Sequence, residues 1–222
     1  MGKTVGVVAP GQSPVADVLD EIAPFFGPDV DILQVGLLDA FDAEAIAALS
    51  VTDPETAVAA RLRDGQRALV DRAFLEAALA DGVAFLEERG ADLTLVLTTE
   101  PLLPVPSRGP VLYPGRLLVA TAAALIPDGT IGIVLPHPRL MRRAAGKWGA
   151  VGDRTVFACA SPQASASEWL DVSGELRAAG ARLVVLDAFA YPGETAAHVA
   201  ALTRLPVLCA RTLTARVAAE LL

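Results

Sequence analysis

The sequence predicts an α/β protein made of two pseudo-symmetric halves, each a doubly wound parallel sheet, with a cleft between them and a β-hairpin inserted near residues 56–72. Three observations carry that prediction. Residues 90–101 and 180–191 repeat one pattern: a Gly-Ala pair or Gly-Ala-Arg turn after an amphipathic stretch, then a continuous apolar run, then small or polar residues beside a proline. Thr4-Val-Gly-Val-Val-Ala-Pro10 is matched position for position by Thr130-Ile-Gly-Ile-Val-Leu-Pro136. Between these runs lie stretches with helical periodicity, and strands buried on both faces between helices belong to parallel sheets. Ligands of such sheets bind outside the carboxyl ends of the strands. Thr98, Thr99 and Glu100 in one copy, and Ala188, Phe189 and Tyr191 in the other, fall there.

In order, residues 4–10 read as a buried strand followed by Gly11-Gln12-Ser13-Pro14, with Ser13 as helix cap and Pro14 as first helical residue. The helix runs to about Phe26, and residues 30–35 form a second strand before a short helix over 41–49. Residues 57–63 and 66–71 flank Asp64-Gly65, a strong hairpin signal; the hairpin is appended to the sheet or covers the mouth of the site. A helix over 73–89 is stopped by Gly90. After a proline-rich linker come a short strand at 111–113 and a helix over 115–125, and the second half then restarts. It continues with a helix through Trp148, a strand at 155–160, a helix over 167–179 capped by Ser167, the second copy of the repeat, a helix over 195–203, a strand at 207–210 and a helix over 213–222. The expected domains are residues 1–104, with the helix 211–222 packing on them, and residues 105–210.

Composition narrows the function. The 222 residues suffice for a substantial core, and 53% are apolar. Mean hydropathy is +0.48, yet the longest apolar stretch, 117–126, is about half the ~20 residues a membrane helix needs. The start, Met1-Gly2-Lys3-Thr4-Val5, enters a strand without a hydrophobic signal segment, which predicts a cytoplasmic protein. A net charge of −8 argues against nucleic acid and anionic membranes as partners. The basic group Arg139, Arg142, Arg143 and Lys147 reads as a solvated helix face. Cys159 and Cys209 lie apart in apolar runs, with no CxxC or neighbouring His, so neither a metal nor a disulfide is expected. The high apolar content also fits a buried face between two copies, a homodimer.

The chain resembles the AroM family, itself similar to the aspartate/glutamate/hydantoin racemase superfamily. The resemblance rests on the Gly11–Pro14 turn, the hairpin at Asp64-Gly65, Leu97-Thr98-Thr99, Tyr113-Pro114-Gly115-Arg116, Ile131–Pro136 with Lys147-Trp148, Leu186-Asp187, and the ending Pro206-Val207-Leu208 with residues 215–221. It implies cofactor-independent chemistry on a small carboxylic acid or derivative. Racemases of that superfamily use two thiols, one on each face of the substrate carbon; the resemblance puts Thr98 and Ala188 in those slots. A thiol with a pKa of about 8.5 can be tuned towards neutrality, an aliphatic hydroxyl ionises far less readily, and alanine carries no proton. Two-thiol racemisation is therefore not expected.

The remaining candidates are donors and acids. Gln12, Ser13, Thr98, Thr99 and Ser161 can hydrogen-bond a carboxylate, Arg116 offers a guanidinium fork, His137 a switchable imidazole, and Tyr191 a hydroxyl for an oxyanion. Glu100 and Asp187, the acids at the two strand ends, are the candidate bases. Each has a structural alternative: Thr98 and Thr99 as strand-end caps, Asp187 as a loop organiser, Glu100 as a solvated side chain, His137 as a loop residue, Tyr191 as packing. His198 is expected on the surface and Cys159 in the core. Two functions stay open: an isomerase- or lyase-type enzyme with Thr98, Glu100 and Asp187 in catalysis, or a non-catalytic protein that binds or senses a small carboxylate.

Overall fold

The computed structural model describes residues 2–53 and 55–222. They divide into two compact units, Met1–Pro114 with Thr214–Leu222, and Gly115–Leu213.

In the first unit, β1 (Lys3–Ala9), β2 (Val30–Gly36), β5 (Leu93–Val96) and β6 (Val111–Leu112) form a parallel sheet in the order β2-β1-β5-β6. From Val5 onwards β1 is wholly buried, and β5 is buried at every position, as continuous apolar runs require between helices. Helices α1 (Ala16–Ile22), α2 (Ala43–Ala48) and α3 (Arg72–Glu88) belong to this unit. Helix α3 starts at Asp71, whose carboxylate accepts from the amides of Ala73 and Phe74, and ends before Gly90, where φ is +91°.

In the second unit, β7 (Thr130–Leu135), β8 (Thr155–Cys159), β9 (Ala181–Leu186) and β10 (Val207–Cys209) form a second parallel sheet, ordered β10-β9-β7-β8. Numbered along the chain within each sheet, both orders read second, first, third, fourth. The repeated heptapeptides are thus β1 and β7, and the repeated Gly-Ala segments lead into β5 and β9. The connections change direction between the first and third strands, so each sheet has its crevice at the carboxyl ends of β1 and β5, or of β7 and β9. Helices α4 (Pro114–Leu125), α5 (Met141–Trp148), α6 (Ala166–Ala178), α7 (Gly193–Thr203) and α8 (Ala210–Ala219) complete the chain. No helix among the described residues is long and apolar enough to cross a membrane.

Several sequence expectations need correction. Ser13 does not cap α1: the N-cap is Val15, without a side-chain bond, and the Ser13–Pro14 peptide is cis. Helix α6 is capped by Ser165 rather than Ser167, in a capping box with Glu168, whose pKa the Ser165 amide and hydroxyl both lower. The last helix begins at Ala210, directly after β10. The hairpin, β3 (Ala57–Arg61) and β4 (Arg67–Asp71), is a separate two-stranded sheet and not an extension of the main one. Val58, Ala60 and Val70 anchor it in the core of the first unit.

The hairpin end meets the loop after β1 backbone to backbone. Gln12 N donates to Arg61 O at 2.9 Å, and Leu38 N to Gly11 O at 3.0 Å. A Cβ on Gly11 would lie 1.9 Å from Arg61 O, so no side chain fits there. Gly11→Ala should therefore separate hairpin and loop and cost about 1–3 kcal/mol or more, as overpacking does. Urea denaturation checks this.

Candidate functional site

The loop after β1 in the first unit is organised by an acid beyond the end of β2 that is absent from the sequence candidates. Asp39 follows β2 and accepts four bonds: from Ser13 N at 2.8 Å, Ser13 Oγ at 2.6 Å, Gly36 N at 2.8 Å and Arg63 Nη2 at 2.7 Å. Arg63 also donates through Nε to Ser13 O at 2.8 Å. Gln12 Nε2 reaches Leu38 O and Phe41 O, both at 3.2 Å, while its Oε1 accepts from Arg63 N at 3.1 Å. Gln12 and Ser13, expected as ligand donors, instead fasten loop, strand end and hairpin to one another. The only sequence cue to Asp39 was an acid straight after an apolar pair at a strand end.

Beside this loop, Leu97 N still pairs with Val8 O at 2.9 Å, so Thr98 is the first residue beyond the β1–β5 ladder. Thr98 is half-buried, and its Oγ1 accepts from Glu100 N at 3.1 Å. With one lone pair taken by Glu100 N, the hydroxyl retains its proton and one further lone pair to offer a ligand. Thr99 is buried and Glu100 half-buried.

In the second unit the corresponding crevice holds a buried ion pair. Lys147 Nζ lies 2.6 Å from both Asp187 oxygens, and Trp148 Nε1 donates to Asp187 Oδ2 at 2.9 Å. The side chains are 9% and 0% exposed, and Trp148 is fully buried. Helix α5 supplies both donors from adjacent residues; the end of β9 supplies the acid. The reading of Arg139, Arg142, Arg143 and Lys147 as a solvated face thus holds for Arg139 and Arg142, which are exposed, and fails for Arg143 and Lys147, which are turned inward. Arg143 and Lys147 stand one turn apart on the helix, beside a large aromatic, and that spacing was the available signal.

The other candidates are dispersed. Tyr191 is fully buried: its hydroxyl donates to Ala160 O at 2.7 Å, and its ring meets Trp169 edge-on at 6.1 Å. It is a core residue, not a rim donor, and burial, with Cys159 and Asp187 nearby, drives its pKa far up. Ser161 is exposed and exchanges bonds with Gln163. His137 is exposed and uses Nδ1 to cap the turn at Pro138–Leu140, accepting from Arg139 N at 3.1 Å. Arg116 is exposed on the first turn of α4, and His198 is exposed on α7. Ala188 is half-buried. Cys159, expected in the core, is half-buried on the edge strand β8, its thiol pKa raised by burial and then by Glu175. Among the described residues no group of three or more His, Cys, Asp or Glu could hold a metal ion.

Two outcomes follow from these bonds. Asp187→Leu or Lys147→Met leaves a buried charge without its counterpart and should cost about 3–5 kcal/mol, whereas Lys147→Met with Asp187→Leu should cost less than the two single changes added together; urea denaturation of wild type and the three variants checks it. Tyr191→Phe strands the Ala160 carbonyl and should cost about 1–3 kcal/mol at neutral pH. Because the folded-state pKa of Tyr191 is raised, its contribution is complete below the ordinary tyrosine value of about 10 and is lost as pH rises above it. The stability gap between wild type and Tyr191→Phe should accordingly narrow from about pH 9 to about pH 11.

The geometry meets known proteins at the level of fold. The solved structures it resembles include an allantoin racemase from Klebsiella pneumoniae (TM-score 0.63, 15% identity, covering 99% of this chain and 87% of that one). An aspartate racemase homologue from Pyrococcus horikoshii OT3 gives a TM-score of 0.60 at 12% identity, covering 100% and 99%. Arylmalonate decarboxylase gives 0.59 at 12% identity, covering 98% and 92%. No curated protein sequence matches. The family profile described as AroM protein matches residues 5–222. This chain belongs to the AroM family and has the fold of the aspartate/glutamate/hydantoin racemase superfamily.

Proposed function

We propose that this protein is a cofactor-independent enzyme of isomerase or lyase type acting on a small carboxylic acid or a derivative of one. The observation that carries the reading is the Lys147–Asp187 pair at the carboxyl end of β9, one residue from the slot where two-thiol racemases would hold sulfur. A buried ion pair is a weak device for stability, since apolar residues of similar volume serve as well or better. Charged groups buried at a strand-end crevice are the pattern of a functional site. In this reading Lys147 presents its ammonium to a substrate carboxylate or developing oxyanion, and Asp187 holds Lys147 in place rather than acting as the base. Taken by itself, the strand-end crevice of the first unit offers Thr98, whose hydroxyl can donate to a carboxylate, and Glu100 as the remaining candidate base. The structural neighbours bear the names of racemases and a decarboxylase, which span isomerase and lyase reactions. With threonine and alanine in the two slots, the proposed reaction is not two-thiol racemisation.

A second reading, binding or sensing of a small carboxylate without catalysis, is favoured by one observation. Both oxygens of Asp187 are already bonded to Lys147 and Trp148, which leaves that acid occupied.

A thermal-shift screen of mono- and dicarboxylates, amino acids and hydantoins tests the ligand class. A ligand at about 100 times its Kd stabilises by about 2.7 kcal/mol, and Thr98→Val should lose most of that gain while folding normally. Incorporation of deuterium at the carbon next to the carboxylate, when the shifting ligand is incubated with the protein in heavy water, identifies an enzyme. A shift without exchange or turnover identifies a binder, and no shift with any acid removes the carboxylate reading.

A further inference from the structure

We propose that Arg211 is a positioning residue of the second unit's crevice: through Nε it fixes the Phe189 carbonyl, and so holds the segment that carries Asp187 and, bonded to it, Lys147. Its value to a reaction rests on the proposed function, in which Lys147 presents an ammonium to substrate. Strand β9 lies between β7 and β10, and the loop that follows it is held from both sides. From the β7 side, helix α5 sends Lys147 and Trp148 to Asp187. From the β10 side, helix α8 starts directly after the strand, and Arg211 is its second residue. The parallel register sets Cys209 beside Leu186, so two residues further on Arg211 comes alongside Ala188. There its Nε donates to Phe189 O. Asp187 N donates to Val134 O at 3.0 Å, Tyr191 N to Ala188 O at 3.3 Å, and Cys209 Sγ to Tyr191 O at 3.5 Å. The β7–β9 ladder ends at Asp187, and beyond it these bonds take over the work of fixing the backbone.

Arg211 is 6% exposed. A buried guanidinium is costly to desolvate and a weak source of stability, so its place calls for another reason. Its planar fork fixes direction as well as distance, which suits it to anchoring a carbonyl. Anchoring Phe189 O sets a peptide plane two residues from Asp187, and the methyl group of Ala188 between them reaches no partner that could lock the chain from within. The acid is thereby fixed through its backbone, and it meets the Lys147 ammonium with both oxygens at 2.6 Å. A functional group works when it is held within about 0.5 Å of its productive place by groups that are themselves held.

Nuclear magnetic resonance of the full chain without ligand tests the proposal, because the sequence holds two tryptophans and two lysines. The Trp148 indole proton and the Lys147 ε-methylene are therefore assignable against Trp169 and Lys3. Arg211→Met fills the side chain out to the position of Nε and carries no donor there; both signals should shift, the indole proton upfield as its bond to Asp187 loosens. Arg211→Gln puts a planar amide N–H at that same position and should keep the wild-type shifts. Arg211→Lys keeps the charge but has a methylene at that position, so its indole signal should move as in Arg211→Met; it decides the matter if Arg211→Met does not fold. A residue that only packs changes stability without moving the signals of Asp187's partners. Unmoved signals in Arg211→Met and Arg211→Lys, or equal shifts in all three variants, would overturn the proposal. The outcome is separate from the acid screen. A screen without any shift removes the carboxylate reading and leaves the positioning as measured, whereas unmoved resonances remove the positioning role from a protein that still binds acids.

Discussion

A parallel strand buried on both faces leaves little room for polar side chains along its length, so the chemistry of such a sheet is pushed to where its ladder ends. That constraint shapes both units of this protein. β1 and β5 in one, and β7 and β9 in the other, are apolar almost throughout, and polar groups gather in the few residues beyond each carboxyl end. The shared strand order puts those ends at the point where the connections reverse, so each sheet has one crevice; Asp187 stands at the end of β9, and Asp39 past the end of β2, beside β1.

The two carboxylates are used differently. Asp39 is half-buried and draws two backbone amides, a hydroxyl and a guanidinium onto itself, which ties a loop, a strand end and the hairpin together. Charge-assisted bonds of this kind are about twice as strong as neutral ones. The glycines at 11 and 36 let the backbones approach closely enough for the cluster to close, since a Cβ at Gly36 would lie 2.5 Å from Gly11 O. Asp187 receives the side chains of consecutive residues of one helix, and its own side chain is buried. Asp39 organises backbone; Asp187 holds a cation at a chosen place.

The fold was legible in the sequence because its signals are local and repeated. The heptapeptides at 4–10 and 130–136 became the first strand of each sheet, and the Gly-Ala segments became the third. Strand ends, and hence the positions of Thr98 and Asp187, followed from counting along apolar runs. What the sequence hid is pairing at a distance. Ser13 looked like a helix cap because its true partner, Asp39, is 26 residues away. Tyr191 looked like a rim donor because the carbonyl it satisfies belongs to Ala160, 31 residues earlier. Lys147 looked solvated because its counter-ion sits 40 residues later in the chain. The capping box at Ser165 is, by contrast, readable from Ser-x-x-Glu alone, since Glu168 stands three residues after Ser165 and only one after Ser167.

Under the proposed function, threonine at 98 in one unit and alanine at 188 in the other exclude a thiol mechanism. Alanine at 188 has no proton to give or take, and a threonine hydroxyl lacks the easily reached anion that makes cysteine a base. The side chain nearest to Ala188 in sequence that carries charge is Asp187, and it is bonded through both oxygens to Lys147 and Trp148. Such a pair serves electrostatics before it serves proton traffic. A preorganised cation in a water-poor crevice stabilises an oxyanion as it forms, and removal of one such donor elsewhere costs about 2.7–4 kcal/mol of transition-state binding. Stabilising an enolate-like charge demands no thiol at either slot. In the proposed enzyme, generating that charge by breaking a bond to the α-carbon needs the Lys147 ammonium, whereas proton exchange at position 188 would need a group that alanine lacks.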